Sequence, residues 1–195
     1  AAYPIWTVMA RISVVLLAFF LMVLPVSAET KRILALGDSL IAGYGLAADQ
    51  AFPMKLEAAL KARGHDVVII NAGVSGDTMA QGEARLDWAL GEPVDAVIVE
   101  LGANDALRGL DPAQAEAALA RILETLKARN LPVLIAGMRA PPNLGPEYQT
   151  KFDAIFPKLA TQYGVALYPF FLEGVVADAT LNQADGIHPN SQGVD

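Results

Sequence analysis

Two patterns in the 195-residue sequence predict an α/β protein built on a parallel sheet with helices on both faces. Beyond residue 30, short apolar runs alternate with stretches of helical periodicity. The apolar runs are nearly continuous, which is typical of strands buried on both faces of a sheet. In such sheets function collects outside the carboxyl ends of the strands, so the loops that follow the strands are the first place to look for a site.

The predicted elements follow one another along the chain. Apolar runs predict strands at residues 33–36, 67–70, 96–99, 132–137 and 165–168. Periodicity predicts helices over residues 52–63, 83–90, 111–126 and 148–163. The third helix begins at Asp111-Pro112 and shows one apolar face: Ala115, Ala118, Leu119, Ile122, Leu123 and Leu126. Pro157 should kink or divide the fourth. With no linker or repeat in between, residues 29–195 are expected to form one domain.

The first 28 residues have the pattern of a secretory signal peptide. Arg11 is their only charged residue, residues 12–24 carry no charge, and Val26-Ser27-Ala28 is a small-x-small cleavage pattern. We expect cleavage after Ala28, with residues 1–8 preceding the signal proper, and a periplasmic or secreted protein. An uncleaved membrane anchor is the alternative, but the apolar run is short for a span of roughly 20 residues.

Composition narrows the classes of partner. The formal net charge is −7, and removing Arg11 with the signal leaves 13 − 21 = −8. An acidic chain of this kind argues against nucleic acid and anionic membrane surfaces as partners. With no cysteine and only two histidines, a His/Cys zinc site is not expected, and no sequence feature calls for a cofactor.

Polar, glycine-containing segments follow the first three strands, at residues 37–40, 71–78 and 100–105, and a fourth such segment lies at 185–189. One such loop is uninformative, because Ser39 after a strand is most simply a helix cap or turn residue. Several together suggest one polar site. A serine nucleophile needs a base, and His188 with Asp185 nearby can supply it, whereas His65 lies in a turn at the far end of the sheet.

Acyl transfer also needs hydrogen-bond donors for a developing oxyanion. Gly76 allows close approach of its backbone N–H group, and the Asn104 side chain can donate without carrying charge. Both also have ordinary structural interpretations, Gly76 as a turn glycine and Asn104 as a turn or cap residue.

In order along the chain, the segments Gly37-Asp38-Ser39-Leu40, Ser75-Gly76-Asp77-Thr78, Gly102-Ala103-Asn104-Asp105 and Asp185-Gly186-Ile187-His188 match four motif blocks. On these blocks the chain resembles the GDSL or SGNH hydrolases, particularly the bacterial thioesterase I / protease I / lysophospholipase L1 group and its arylesterase relatives. The resemblance covers almost everything after Lys31. It implies a flavodoxin-like three-layer α/β/α sandwich with a five-stranded parallel sheet.

The resemblance also implies roles for particular residues. Ser39 would be the nucleophile, with Asp185 and His188 completing a triad. The oxyanion hole would consist of the Ser39 and Gly76 backbone N–H groups and the Asn104 side-chain amide. Further residues are expected at the substrate site: Asp38, Leu107, Arg108, Ala140, Pro141 and Ile187. Thioesterase-type relatives tend to have a larger apolar residue than Ala140, so chain-length preference does not transfer. The C-terminal helix of the family is expected beyond Asp195.

Two other enzyme and binding classes fit the sequence less well. Residues 43–48 match the dinucleotide fingerprint G-x-G-x-x-[GA], but they lie several residues after the strand, and the second strand ends without the acid that binds a ribose. An α/β-hydrolase would need the elbow G-x-S-x-G, which is absent around Ser39. We therefore predict an exported serine hydrolase of small-molecule acyl esters or thioesters. The alternatives are a carbohydrate acetylesterase of the same fold and a non-catalytic binding module.

Overall fold

Five parallel strands form the central sheet of residues 29–195, the part of the chain that the computed structural model describes. The predicted signal peptide, residues 1–28, lies outside the described residues. The strands are β1 (Lys31–Gly37), β2 (Val67–Gly73), β3 (Ala96–Glu100), β4 (Val133–Ala136) and β5 (Ala166–Tyr168). They lie side by side in the order β2-β1-β3-β4-β5, which is the flavodoxin-like order. The predicted fold class and all five predicted strands are confirmed.

The helices alternate with these strands along the chain. They are α1 (Ser39–Ala42), α2 (Phe52–Ala62), α3 (Met79–Ala84), α4 (Leu86–Ala89), α5 (Ala103–Leu107), α6 (Pro112–Ala128), α7 (Pro146–Asp153), α8 (Ile155–Tyr163) and α9 (Ser191–Val194). Short 3₁₀ turns lie at Ala48–Gln50 and Pro142–Leu144. In residues 29–195, no helix is both long and apolar enough to cross a membrane.

Two predicted helices have different bounds in the structure. The helix predicted over 83–90 begins earlier, at Met79, because Thr78 and Gln81 form a reciprocal capping box, and it divides at Arg85. The helix predicted over 148–163 is indeed in two pieces, but the break lies at Ala154 and not at Pro157. Proline disrupts the hydrogen bond to the fourth residue before it, so the interruption falls one turn upstream.

Both faces of the sheet are covered by apolar side chains. On one face, the predicted apolar stripe of α6 is buried, together with Phe152 and Phe156. On the other face, Ala35 and Ile69 of the sheet pack with Ile41 and with partly buried residues of α2. Burying a side chain the size of leucine or phenylalanine stabilises the fold by about 1.5–3 kcal/mol. This packing holds the strands rigidly in place.

The strand register brings the carboxyl ends of the strands to one edge of the sheet. Gly37 is paired with Gly73 on one side and with Glu100 on the other, and Glu100 is paired with Ala136. Ala136 in turn is paired with Tyr168. The connection after β1 leads to β2 on one side, and the connection after the adjacent strand β3 leads to β4 on the other, so the crevice of this fold opens between the ends of β1 and β3. The loops that carry the predicted site residues therefore meet there.

Candidate active site

Ser39 is the first residue of α1, directly after β1. The Asp38 carboxylate caps this short helix by accepting a hydrogen bond from the Leu40 backbone N–H at 3.0 Å. The turn requires glycine at position 37, because a Cβ there would lie 2.2 Å from an Ile41 side-chain carbon and 2.8 Å from a Glu100 carboxyl oxygen. The tight turn points the Ser39 hydroxyl away from the core and towards His188.

His188 lies between Ser39 and Asp185. Its Nε2 atom is 3.0 Å from Ser39 Oγ, and its Nδ1 atom is 2.7 Å from Asp185 Oδ2. An ionised carboxylate only accepts hydrogen bonds, so the proton of a neutral imidazole resides on Nδ1 and the lone pair of Nε2 faces the serine hydroxyl. This tautomer is the one in which His188 can accept the proton of Ser39.

Asp185 is held as an anion. Its Oδ1 atom accepts the backbone N–H groups of Ile187 at 3.0 Å and His188 at 3.1 Å. The hydrogen bond from Ile187, followed by those from the His188 side chain and backbone, lowers the pKa of Asp185 to about 2. The carboxylate therefore stays charged throughout the pH range in which an imidazole titrates, and it can stabilise an imidazolium.

The loop that carries His188 is fastened to the loop after α1. Gln183 uses its backbone N–H to bind the His188 carbonyl at 2.8 Å and its side-chain amide to bind the Tyr44 carbonyl at 2.7 Å. The Tyr44 ring lies against the imidazole, with 4.6 Å between ring centroids. These contacts restrict the imidazole to positions near Ser39.

Gly76 lies in the loop after β2, and Asn104 lies on α5, the short helix that follows β3. Asn104 Nδ2 donates to Asp38 Oδ2 at 3.1 Å and to the Asp77 carbonyl at 3.0 Å. Gly76 has a φ of +90°, a conformation that other residues rarely adopt. The Asp77 carboxylate pairs with Arg85, whose Nη2 donates to the Gly37 carbonyl at 2.9 Å. Hydrogen bonds therefore join the first three predicted motif loops to one another.

An apolar cleft of about 610 Å³ opens at Ser39. Four of the predicted substrate residues line it: Leu107, Ala140, Pro141 and Ile187. The cleft has further wall residues besides these: Leu40, Ala103, Ala106, Met138, Arg139, Pro142, Phe170, Leu172, Val176 and Gly186. The guanidinium of Arg139 lies 4.9 Å from the centroid of the Phe170 ring. A hydrocarbon chain suits such walls, because it would leave few polar groups without partners.

The sequence comparisons agree with this geometry. The profile of the GDSL-like lipase/acylhydrolase family matches residues 35–195. The chain belongs to this family. Esterase TesA of Pseudomonas aeruginosa is 42% identical over 170 residues, which cover 87% of this chain and 85% of the relative. Thioesterase 1/protease 1/lysophospholipase L1 of Escherichia coli strain K12 is 44% identical over 165 residues, covering 84% and 78%. An arylesterase of Vibrio mimicus is 39% identical over 177 residues, covering 90% and 88%.

Solved structures of esterases share the fold. AlinE4, an SGNH-hydrolase family esterase, superposes with a TM-score of 0.79 at 52% identity, covering 85% of this chain and 89% of that chain. A crystal structure of TesA gives a TM-score of 0.80 at 41% identity, covering 84% and 92%. The GDSL protein described here is thus a hydrolase of ester bonds, and the alternative of a non-catalytic binding module is set aside.

Two of the predicted substrate residues are not at the cleft of this GDSL hydrolase. Asp38 does not line the cleft: its side chain is fully buried beneath α1, where it binds Leu40 and Asn104. Arg108 also lies outside the cleft walls, and its guanidinium donates to the Gly76 carbonyl at 2.8 Å. Motif position alone cannot separate a side chain that faces substrate from one that supports the loop carrying the site.

Sequence reasoning missed the wall residues Met138, Phe170, Leu172 and Val176 and the buried acid Glu100. The wall residues are ordinary apolar residues in loops after β4 and β5, so no pattern distinguishes them from core residues. Glu100 carried a signal, since it is a single charged residue at the end of an apolar strand. Within residues 29–195, no group of three or more His, Asp or Glu side chains could hold a metal ion.

Proposed function

We propose that this ester hydrolase cleaves carboxylic esters, and thioesters of the same acyl chains, through an acyl-enzyme formed on Ser39. The observation that carries the proposal is the 3.0 Å distance between His188 Nε2 and Ser39 Oγ, with the other imidazole nitrogen bound to Asp185. A serine hydroxyl is a weak nucleophile at neutral pH, and a base at this distance activates it.

The reaction has two halves. In the first, Ser39 Oγ attacks the carbonyl carbon while His188 takes its proton, and the imidazolium then protonates the departing alcohol or thiol. In the second, His188 removes a proton from water, the hydroxide attacks the acyl-enzyme, and Ser39 recovers its proton as the acid leaves. Asp185 remains ionised and stabilises the imidazolium in both halves.

The negative charge on the tetrahedral intermediate needs donors that are already in position. The backbone N–H groups of Ser39 and Gly76 and the amide of Asn104 are the proposed donors. Asn104 is joined to the nucleophile loop through its hydrogen bond to Asp38. Because the three donors come from the ends of three neighbouring strands, substrate binding would require little rearrangement.

The proposed substrate is an ester of a hydrocarbon acyl chain. The apolar walls of the cleft support this substrate over an acetylated carbohydrate, whose hydroxyl groups would lose hydrogen bonds to water there. Of the relatives, one is named an arylesterase and another a thioesterase and lysophospholipase, which supports a range of leaving groups. The acyl chain would occupy the apolar cleft and the leaving group would face its mouth.

The test of the mechanism is Ser39→Ala, assayed on short p-nitrophenyl esters. Hydrolysis should fall to the background rate, because the variant lacks the hydroxyl that His188 activates, while circular dichroism and the unfolding midpoint stay close to wild type. Ser75→Ala, which removes an exposed hydroxyl from a neighbouring loop, is the matched control and should keep full activity. Full activity in Ser39→Ala would overturn the mechanism.

We also propose that the enzyme is exported, with a mature chain beginning at Glu29. The support is the pattern of residues 11–28, a single basic residue followed by an uncharged run and a small-residue cleavage pattern. Cell fractionation with N-terminal sequencing tests this proposal. Recovery of the uncleaved chain from the cytosolic fraction alone would contradict it.

A further inference from the structure

The carboxyl groups of Asp38 and Glu100 are buried against each other beneath Ser39. Both side chains have 0% of their surface exposed. The Asp38 backbone N–H donates to Glu100 Oε2 at 3.4 Å, so the Glu100 carboxyl group lies directly beneath the turn that carries Asp38 and Ser39. The mechanism proposed above uses neither group directly. Two carboxylates in contact cannot both be ionised in a buried site without a large electrostatic cost.

The hydrogen bonds around the pair indicate which group is charged. Asp38 accepts the Leu40 N–H on one oxygen and the Asn104 amide on the other, so donors surround its carboxylate. Glu100 Oε2 accepts only the long bond from Asp38, and Oε1 has no partner among the residues that the structure describes. A charge on Glu100 would be almost unsolvated, whereas a charge on Asp38 is compensated by donors.

We infer that Glu100 is a positioning residue: it stays protonated and donates its proton to Asp38, whose carboxylate then holds Asn104 and the start of α1 beside the reacting carbonyl. The inference rests on the proposed function, since Asn104 matters to rate only as an oxyanion donor. The directions in which the two pKa values shift agree with a protonated Glu100 beside an ionised Asp38. Burial, together with the charge of Asp38, raises the pKa of Glu100 well above its usual range. Burial also raises the pKa of Asp38, to about 6.

Three other charged or titratable side chains lie near the pair: Arg85, Asp105 and His188. Arg85, between α3 and α4, pairs with Asp77 and binds the Gly37 carbonyl. Asp105 on α5 accepts the Met79 N–H at 2.9 Å, and burial raises its pKa. His188, across Ser39, favours the ionised form of Asp38. These surroundings suit a neutral Glu100 beside an ionised Asp38, because the two carboxyl groups then carry a single negative charge between them.

Loss of the Glu100 proton at alkaline pH would place a second negative charge against Asp38. Repulsion between the two would displace the Asp38 carboxylate, and Asn104 would lose one of its two anchors. The expected consequence is a fall in kcat at alkaline pH with little change in KM, because the oxyanion exists only after substrate has bound. The acidic limb should be the same in wild type and in a variant that keeps a neutral donor at position 100.

The experiment measures kcat and KM of Glu100→Gln and wild type from about pH 5 to about pH 10. A bell-shaped pH profile reports the ionisations of the groups on which the rate depends. Glutamine is neutral and donates a hydrogen bond at every pH, so it imitates protonated Glu100. We expect wild-type-like kcat at neutral pH and loss of the alkaline limb. Asp105→Asn, the neutralisation of another buried acid, is the matched control and should keep that limb.

Two further measurements separate positioning from simple folding. Glu100→Leu has a similar volume but cannot donate, and its kcat should fall about tenfold at unchanged KM, less than the roughly 10²–10³ for losing a whole oxyanion donor. The infrared carbonyl band of a protonated carboxylic acid should be present at neutral pH in wild type and Asp105→Asn and weakened in Glu100→Gln. This band remains informative even if Glu100→Leu does not fold.

An alkaline limb that is identical in wild type and Glu100→Gln would overturn the inference, as would an unchanged infrared band. These outcomes are distinct from failure of the proposed function. Ser39→Ala would still be inactive in the first case, whereas an active Ser39→Ala would remove the premise on which the role of Asn104 depends.

Discussion

Asn104 uses its side-chain amide inside the protein, donating to Asp38 and to the Asp77 carbonyl. An oxyanion would be a further acceptor for the same NH₂ group, so Asn104 must share a hydrogen or exchange one partner during the reaction. The internal bonds fix the position of the nitrogen in advance. They therefore place the donor, and they also make its alignment depend on the charge state of Asp38.

Replacing Asn104 with alanine should lower kcat by roughly 10²–10³, the usual effect of removing one oxyanion donor. KM should change little, because the charge appears only after the substrate has bound. Steady-state kinetics on a p-nitrophenyl ester measures both constants, and Asn143→Ala, an exposed loop position, is the control. A decrease of less than about threefold would remove Asn104 from the oxyanion hole, given the expected magnitude.

Among individual residues, the sequence pointed to those whose side chains can act as nucleophile or base and missed the apolar residues that line the cleft. Ser39, His188 and Asp185 could be proposed from the sequence because few residue types can act as nucleophile and base. The structure brings these three side chains within hydrogen-bond distance, and their catalytic roles stay predictions. Asp38 faces the interior and not the cleft because its direction is set by a turn, and a sequence pattern does not reveal which way the carboxylate points.

The loop after β4 forms a wall of the cleft. It runs from Met138 to Pro142 and is anchored by Asp153, which accepts the Ala140 backbone N–H at 2.8 Å. The Gln149 side-chain amide binds the Ala140 carbonyl at 3.2 Å. Both anchors lie on α7, so the shape of the wall depends on the packing of a helix that follows it in the chain.

Enlarging Ala140 should shorten the preferred acyl chain. Ala140→Leu adds three carbon atoms to a residue that lines the cleft, so the added atoms occupy space that a longer chain would fill. Each methylene excluded from the cleft forfeits about 0.8 kcal/mol, or roughly fourfold in kcat/KM. The measurement is kcat/KM across p-nitrophenyl esters of increasing length, with the acetyl ester as internal control. An equal loss on every ester would indicate general damage instead of a changed pocket.

The element predictions failed where the deciding interaction was short-range but easily overlooked. The α3 helix begins at Met79 because Thr78 and Gln81 cap each other, a pattern that was visible in the sequence. The break between α7 and α8 precedes Pro157 by three residues, as the missing hydrogen bond requires. The strands were easier to predict, because burial on both faces requires continuous apolar runs.

Across the whole molecule, the buried acid pair should make stability depend on pH. Burial raises the pKa of Glu100 well above its ordinary value of 4.5. Between the ordinary pKa and the raised one, the folded state therefore binds a proton that the unfolded chain has released. The free energy of unfolding therefore falls as pH rises through this interval. The same sign holds for Asp38, whose pKa rises from 3.8 to about 6.

Glu100→Gln should flatten this dependence, since glutamine has no proton to lose. Urea unfolding at a series of pH values measures it, and the stability of the variant relative to wild type should increase towards alkaline pH. Asp105→Asn serves again as the comparison for a different buried acid. Parallel curves for wild type and Glu100→Gln would mean that Glu100 is already ionised in the folded protein.

The fold class, the five strands and the longer helices could be predicted from the sequence, and the same sequence offered candidates for nucleophile, base and oxyanion donor. These depend on hydrophobic periodicity and on residue chemistry, both of which are properties of short stretches of chain. The folded structure was needed to show which side chains line the cleft and that Asp38 lies against Glu100 beneath Ser39. The contact between Asp38, after β1, and Glu100, at the end of β3, spans more than sixty residues of chain. It arises from strand register and turn geometry, which short stretches of sequence do not reveal.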